Sequence, residues 1–254
     1  MSFFENTRKP VGLGGKIMVA MMNLGHSPVA QWGLQFLNVA PDAKVLDCGC
    51  GGGANMKRLL KKYPQGIVKG IDYSPVSVEK ARSLNRAAIQ EGRCVVWQGS
   101  VERIIFAKDW FDAVTAFETV YFWPDLPQCF REVYRVLKPG GKLLICNESN
   151  GDTDKDKKWT EIIGGMTIYK DAELKAYLEQ AGFHEVQIHK KKGCVHSDCK
   201  ESQTHPFPPA PQRDPYYETD TESVYFRLQT GESGTPSLGG WSRQCPSPEY
   251  GFHW

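Results

Sequence analysis

Short apolar runs alternate with amphipathic segments through the middle of the chain, and this alternation predicts its secondary structure. Segments with helical spacing lie between apolar runs of strand length that begin near residues 45, 66, 94, 111 and 142. A Ser-Pro pair, which is a typical helix start, stands at residues 27–28 and again at 74–75. Alternation of this kind predicts an α/β fold with a mostly parallel central sheet and helices on both faces.

The two ends of the chain depart from this alternation. Residues 1–40 have apolar positions at helical spacing and are predicted to form an N-terminal helical cap, while residues 41–193 form the predicted binding domain. Residues 194–254 hold half of the 16 prolines and little periodicity, which predicts an irregular or disordered Pro-rich tail. One strand-like stretch, at 222–229, leaves two alternatives. Either it supplies the final strand of the sheet, or that edge of the sheet is unusual.

Composition limits the classes of partner. The 254 residues include 31 Lys and Arg against 29 Asp and Glu, a balance that gives no reason to expect a nucleic-acid or membrane-surface partner. No apolar stretch is long enough to span a bilayer, and the N-terminus lacks the pattern of a secretory signal. The eight cysteines lack the paired spacings of a disulfide framework or a zinc site. We therefore expect a reduced, cytoplasmic protein with no bound metal.

The segment from Lys44 to Gly53 is the most informative in the chain. Its apolar run is typical of a buried strand and ends in Asp47, after which four glycines follow within five residues. Glycines let the backbone turn sharply and approach a ligand without a Cβ in the way. A segment with helical spacing begins at Ala54. Strand, glycine loop and helix together predict a binding corner for a nucleotide-like ligand.

Two kinds of ligand fit this corner. Residues 49–54 satisfy the dinucleotide pattern G-x-G-x-x-G/A, and Asp72 lies at a suitable distance to bind ribose hydroxyls, which together favour an NAD(P)-dependent oxidoreductase. Asp47 favours a different ligand, because a carboxylate at the strand end would face the phosphates of a dinucleotide at close range. S-adenosylmethionine carries an ammonium group and a sulfonium and has no phosphate. It is therefore the better match to Asp47.

Five ordered segments resemble the motifs of the class I S-adenosylmethionine-dependent methyltransferases, in particular the small-molecule, methyltransferase type 11-like branch. The resemblance covers roughly residues 40–193 and implies a Rossmann-like fold with S-adenosylmethionine as cofactor. The sequence departs from the family pattern at Ser100, where the family often has an acid. That departure and the unusual tail keep open a third alternative, a cofactor-binding protein without catalysis. The five segments are Val45–Gly53, Gly70–Ser74, Trp97–Glu102, Phe111–Val114 and Leu137–Leu143.

By motif position, the resemblance also implies which residues contact the cofactor. The methionine part is assigned to Asp47 and the glycine loop, and the ribose to Asp72. Tyr73 is expected to pack on the adenine, with Ser100 and Val101 at its border. Glu118, which follows the fourth strand, is expected to contact either the cofactor or the acceptor. The predicted set is Asp47, Gly49, Gly51, Gly53, Asp72, Tyr73, Ser100, Val101 and Glu118.

The expected reaction is methyl transfer to a small molecule at oxygen, nitrogen, sulfur or carbon. Methyl transfer is an in-line displacement in which positioning supplies much of the catalysis, and a base is needed only if the acceptor loses a proton. Glu118 and Tyr121 are predicted catalytic residues, because they follow the fourth strand at the edge where ligands bind. His26 is a further candidate base. A solvated loop acid at Glu118 and a capping or packing role for His26 are the alternatives, and the sequence indicates no oligomeric state.

Overall fold

The computed structural model describes residues 27–151, 154–191 and 223–230, and strands and helices alternate along these ranges. The strands are β1 (Lys44–Cys48), β2 (Ile67–Asp72), β3 (Cys94–Gln98), β4 (Phe111–Phe117), β5 (Leu137–Asn147), β6 (Phe183–Lys191) and β7 (Ser223–Thr230). The α-helices are α1 (Ser27–Gly33), α2 (Ala54–Lys62), α3 (Pro75–Leu84), α4 (Arg86–Gln90), α5 (Leu126–Val136), α6 (Asp154–Ile162) and α7 (Asp171–Gln180). Turns of 3₁₀-helix span Leu34–Phe36, Val101–Arg103 and Val120–Phe122.

The strands form one sheet in the order β3-β2-β1-β4-β5-β7-β6. The pairs among β1 to β5 are parallel, whereas β7 runs antiparallel to both β5 and β6. The chain moves from β1 outward to β3 and then returns to β4 on the other side of β1. A doubly wound sheet binds ligands at the carboxyl ends of its strands beside such a reversal. The predicted fold class is confirmed, and the fold places the candidate site at the ends of β1, β2, β4 and β5.

The fifth strand begins earlier than the sequence predicts. Phe111 of β4 pairs with Leu137, but Ala113 pairs with Lys142, so the intervening residues of β5 bulge out of the ladder. Gly140 sits in this bulge with φ at +74°, a conformation that favours glycine. The Pro-Gly-Gly sequence at 139–141, which precedes the apolar run predicted to begin near residue 142, therefore forms an irregular part of the strand itself.

The strand β7 lies within the segment that was predicted to be an irregular tail. Its residues pair antiparallel with β5, where Val224 lies opposite Asn147, and with β6, where it lies opposite Lys190. Of the two alternatives for this edge, the stretch supplies the final strand, which corrects the prediction that the sheet domain stops at residue 193. Pairing with β7 also satisfies the backbone groups that β5 would otherwise expose at an edge. Residues 1–26 of the predicted cap lie outside the described residues.

Apolar side chains cover both faces of the sheet, as the continuous apolar runs of parallel strands require. On one face the strands pack against α5 and α7, and on the other against α1, α2 and α3. No helix among the described residues is both long and apolar enough to cross a bilayer. Members of the first cluster include Leu46, Val114, Phe130, Ile145 and Leu174, and members of the second include Ala30, Val45, Met56, Val68 and Leu144.

Candidate functional site

The glycine loop after β1 is held against β2 by its own backbone. The N–H groups of Gly49 and Cys50 both donate to the carbonyl oxygen of Ile71, at 2.9 and 3.0 Å. Gly49 has φ at +72°, and a Cβ there would overlap the Thr119 side chain at the end of β4. Only glycine meets both requirements. The loop therefore packs closely on β2 and β4 at the carboxyl edge of the sheet.

Gly51 forms the open side of this loop. It has φ at +50°, and a Cβ built at this position would have no atom within 4 Å among its neighbours. Gly53, by contrast, packs against Ala81 of α3 and Asn85, the residue that follows this helix. Protein neighbours thus explain the need for glycine at Gly49 and Gly53. At Gly51 no side chain of the described ranges fills the space in front of the backbone, so a ligand can approach it there.

Asp72, at the end of β2, closes the loop from the other side. Its side chain is 8% exposed, and its two oxygens accept the N–H groups of Gly51 and Ser74, each at 2.9 Å. Burial raises the pKa of this carboxyl, and the two backbone hydrogen bonds lower it in part. Each carboxylate oxygen can accept a second hydrogen bond. The Ser77 side chain is a further hydrogen-bond partner, so Asp72 can shape the glycine loop and still accept a ribose hydroxyl.

Asp47 lies on β1, immediately before the loop, and is 1% exposed. Thr115 on β4 donates its hydroxyl to Asp47 Oδ1 at 2.7 Å. Burial raises the pKa of Asp47 from 3.8 to about 7; the Thr115 hydrogen bond opposes this rise, and the nearby charge of Asp72 adds to it. A cation placed beside this carboxyl group would favour its ionised form. Sequence reasoning missed Thr115, whose role depends on the pairing of β1 with β4.

The residues predicted to border the adenine lie at the ends of β2 and β3. Tyr73 is 39% exposed beside Asp72, and Val101 is buried in the core. Ser100 accepts the N–H of Glu102 at 3.3 Å and donates its hydroxyl to Glu102 Oε2 at 3.2 Å. The turn at Gly99 is tied to Asp72 by a backbone hydrogen bond of 3.0 Å. The structure thus brings these residues to one corner and places the carboxylate of Glu102 beside the serine.

Glu118 follows β4 with φ at +54°, a left-handed conformation that is uncommon for a residue with a side chain. Its N–H donates to the carbonyl oxygen of Cys146 on β5 at 2.8 Å. This bond holds the strained residue between the ends of two strands. Unusual backbone conformations of this kind concentrate at functional sites, where the surrounding structure imposes them. The position agrees with a ligand contact at Glu118.

Tyr121 is at the same edge, but its hydroxyl group is already engaged. The hydroxyl donates to the carbonyl oxygen of Ser149 at 3.1 Å and accepts the N–H of Ser149 at 2.8 Å. Burial, with a smaller effect of the Glu118 charge, raises the pKa of Tyr121 well above its usual value of 10. A buried hydroxyl in this environment is a poor base at neutral pH. The two hydrogen bonds show that Tyr121 holds the segment after β5, and its catalytic role stays a prediction.

Buried polar side chains follow β5, and sequence reasoning did not select them. Asn147, Ser149, Asn150 and Asp156 are each less than 9% exposed. Asp156 accepts the N–H of Gly151 at 2.9 Å. The signal was the polar run that directly follows an apolar strand at the ligand-binding edge. Asn147 ends β5 and the other three follow it, and β5 lies on the opposite side of β1 from the strand that carries Asp72.

The structure gathers Asp47, the glycine loop, Asp72 and Glu118 at the carboxyl edge of the sheet. His26, the other predicted base, lies outside the described residues. Within the ranges that are described, no group of three or more His, Cys, Asp or Glu side chains is placed to hold a metal ion. The site can therefore bind a nucleoside-bearing cation between two acids and an open glycine backbone.

Comparison with known proteins gives the same class. A family model described as "Methyltransferase domain" matches residues 46–145. Methyltransferase GfsG of Streptomyces halstedii is 30% identical over 223 residues, which cover 85% of this chain and 74% of that protein. Cycloartenol-C-24-methyltransferase of Arabidopsis thaliana is 34% identical over 156 residues, which cover 58% of this chain and 46% of that protein. Matches to this and two other plant C-methyltransferases cover 30% to 46% of those proteins, so the chain spans less than half their length.

A solved structure supports the fold. A chain from the complex between the Haloferax volcanii Trm112 methyltransferase activator and a putative methyltransferase superposes with a TM-score of 0.70 at 22% identity. The match covers 86% of this chain and 95% of that chain. A doubly wound sheet with a glycine loop between two buried acids defines the nucleoside-binding α/β class. Within that class, the chain belongs to the class I S-adenosylmethionine-dependent methyltransferases. None of these relatives supports the alternative of an NAD(P)-dependent oxidoreductase.

Proposed function

We propose that this chain transfers the methyl group of S-adenosylmethionine to a small-molecule acceptor. The arrangement of Asp47 and Asp72 on the two sides of the glycine loop carries the proposal. Both carboxyl groups are buried, and burial raises the pKa of each because it disfavours the charged form. A cation without a phosphate stabilises the charged form, so its binding in this site is favourable. A pyrophosphate in the same place would be repelled by Asp47.

The residues fit this cofactor part by part. The open side of Gly51 accepts close approach of the methionine part, whose ammonium group pairs with Asp47. Asp72 already accepts the N–H groups of Gly51 and Ser74 and is hydrogen-bonded to the Ser77 side chain, and its remaining acceptor capacity is proposed to take a ribose hydroxyl. Tyr73, Ser100 and Val101 are proposed to border the adenine, with Tyr73 packing against its face.

The bound cofactor supplies a methyl group on a sulfonium that is already an activated leaving group. The work left to the protein is to align the acceptor with that methyl group and to exclude water. Glu118, held in its strained conformation between β4 and β5, is proposed to contact the reacting groups and to accept a proton where the acceptor must lose one. The proposed proton-accepting role of His26 stays a prediction.

The acceptor class is part of the proposal. By their names, the relatives from Arabidopsis thaliana include methyltransferases of a sterol and of a hydroquinone. The near balance of charge in this chain gives no support to a nucleic-acid acceptor. A small molecule is therefore proposed, and a cytoplasmic location is proposed with it. The helical cap over residues 1–40 stays a prediction.

Thermal-shift titration tests the proposal. S-adenosylmethionine or S-adenosylhomocysteine at about 100 times its Kd should raise the free energy of unfolding by about 2.7 kcal/mol, and NAD(H) at the same concentration should not. A shift with NAD(H) alone would overturn the proposal. Turnover of methyl-labelled cofactor against a metabolite extract separates an enzyme from a cofactor-binding protein without catalysis. In that assay, label must leave the cofactor and appear in a small molecule.

A further inference from the structure

An oxygen atom at the end of β5 is buried and has no hydrogen-bond partner in the part of the chain that the structure describes. It is Oδ1 of Asn147, a side chain that is 6% exposed, and no group among the described residues donates to it. Buried polar atoms are nearly always paired, and leaving an acceptor unpaired costs stability. Such an exception at a ligand-binding edge indicates an oxygen that is kept for a ligand.

The position of Asn147 separates it from the proposed cofactor contacts. Asp47 and Asp72 end β1 and β2, whereas β4 and β5 lie on the other side of β1 in the sheet. Glu118 at the end of β4 donates its N–H to Cys146, the residue before Asn147. Asn147 therefore stands next to Glu118, in the half of the edge that is left for the methyl acceptor.

The chain that follows Asn147 is held firmly. Tyr121 exchanges two hydrogen bonds with the backbone of Ser149, and Asp156 accepts the N–H of Gly151. The strand before Asn147 is paired on both sides, with β4 and with β7. The side chain thus projects from a support that keeps its position when a ligand binds, as preorganised recognition requires.

Asn85 shows what a structural asparagine looks like in this protein. It is also buried, at 4% exposure, and its Oδ1 also lacks a partner among the described residues. However, its amide Nδ2 donates to the carbonyl oxygens of Gly53 and Ala81, at 3.1 and 2.9 Å. Asn85 therefore fastens the glycine loop to α3, which explains why it is buried. No comparable fastening bond accounts for the oxygen of Asn147.

We propose, building on the proposed methyltransferase function, that Asn147 determines acceptor specificity: its Oδ1 accepts a hydrogen bond from an N–H or O–H group close to the atom that is methylated. The acceptor is then an amine, a phenol or an alcohol, and an alkene without a nearby donor is rejected. A site built to pair with a donor discriminates strongly against analogues that lack it, because its buried polar atom is then left unpaired.

The test uses the full chain and three variants. Asn147→Leu removes the oxygen at similar volume, Asn147→Asp keeps an acceptor oxygen, and Asn85→Leu removes the other buried asparagine. Binding of S-adenosylhomocysteine is measured by calorimetry. Methyl transfer from labelled S-adenosylmethionine is measured with catechol, hydroquinone, tyramine and histamine as donor-bearing probes, and with an isoprenoid alkene as the probe without a donor. KM and kcat are determined for each probe that is methylated.

We expect wild type to methylate at least one donor-bearing probe. Asn147→Leu should bind S-adenosylhomocysteine within about twofold of wild type and melt no lower, but its kcat/KM should fall at least about tenfold. Asn147→Asp should recover part of that loss, which a purely structural role would not produce. Asn85→Leu should instead lose stability and cofactor affinity together.

Several results would overturn the inference while leaving the proposed function intact. They are unchanged transfer by Asn147→Leu, no recovery in Asn147→Asp, transfer to the alkene alone, and cofactor binding without transfer to any donor-bearing probe. Failure of wild type to bind S-adenosylhomocysteine would overturn the proposed function first and this inference with it. The binding measurement therefore distinguishes the two failures.

Discussion

The two halves of the carboxyl edge are built differently, although both are made from the ends of parallel strands. In the β1–β2 half, the buried carboxylate of Asp72 accepts two backbone N–H groups. One belongs to Ser74, two residues later in the chain, and the other to Gly51 in the adjoining glycine loop. In the β4–β5 half, the main bonds join Tyr121 to Ser149, and the oxygen of Asn147 lacks a partner among the described residues. A cofactor can be held by a short motif and its main-chain donors, whereas recognition of an acceptor depends on side chains that only the tertiary fold brings together.

The largest expected effect comes from removing the charge of Asp47 from the β1–β2 half. The pKa of this carboxyl is about 7 in the folded chain and 3.8 when unperturbed, so ionisation opposes folding. Its stabilising contribution is complete below pH 3.8 and is lost as the pH rises to about 7. An asparagine side chain at this position cannot ionise but can still accept from Thr115. Asp47→Asn should therefore gain up to about 4 kcal/mol of unfolding free energy above pH 7.

Denaturant unfolding of wild type and Asp47→Asn at pH 4, 6 and 8 measures this effect. The two proteins should be similar at pH 4 and should diverge as the pH rises. Equal differences at all three pH values would show that the substitution acts through packing and not through charge. The same variant should bind S-adenosylmethionine less tightly at pH 8, because the partner of the ammonium group is gone.

The next largest effect is expected for Asp72→Ala, which removes the proposed ribose contact. Loss of a hydrogen bond to a carboxylate should weaken S-adenosylhomocysteine binding about 100-fold, which is about 2.7 kcal/mol. Asp112 is the matched control, since its carboxylate also accepts a backbone N–H, from Lys44 at 2.8 Å, and pairs with Lys138 at 2.6 Å. It starts β4 at the opposite edge of the sheet. Calorimetry should find Asp112→Ala close to wild type, and equal losses in both variants would remove the ribose assignment.

Much of the β1–β2 half was predictable from sequence because its contacts follow from local spacing. The apolar run, the glycines and Asp72 specify a strand, a loop and a second strand end, and the structure brings Asp47 and Asp72 to that loop. The β4–β5 half was not predictable in this way. Tyr121 reaches Ser149 across 28 positions of the chain, and the burial of Asn147 depends on neighbours that no spacing rule supplies.

The final strand illustrates the same limit. The sequence of β7 resembles a strand, but its neighbours in the chain are rich in proline and lack periodicity. Its place between β5 and β6 follows from antiparallel pairing with two strands that precede it by long stretches of chain. Strand propensity depends strongly on such partners, so local sequence can suggest the strand without placing it.

Tyr121→Phe tests whether the Tyr121 hydroxyl holds the β4–β5 half together or takes part in catalysis. Its loss leaves the N–H and carbonyl of Ser149 unpaired, which should lower the unfolding free energy by about 1–3 kcal/mol. Because the pKa of Tyr121 lies well above 10, the pH profile of kcat should keep the shape of the wild-type profile. Tyr63→Phe is the control, since the Tyr63 hydroxyl is buried and donates to the Leu37 carbonyl at 2.6 Å. If the pH profile of kcat loses its acidic or its basic side in Tyr121→Phe and not in Tyr63→Phe, that result would support a catalytic role for Tyr121.

The smallest effect on stability, and a direct test of where the ligand lies, is expected for Gly51→Ala. A left-handed φ of +50° costs an alanine about 1 kcal/mol. Apart from the adjacent residues in the chain, the added methyl group meets no atom of the described residues within 4 Å, so the fold should persist. Gly92→Ala is the matched control, with φ at +73° and equally open surroundings in the turn before β3. Both variants should lose similar stability in denaturant, but only Gly51→Ala should weaken S-adenosylhomocysteine binding, by about tenfold or more, or about 1.4 kcal/mol. Equal affinities would mean that the cofactor does not approach the loop at Gly51, and the cofactor half would have to be placed elsewhere on the edge.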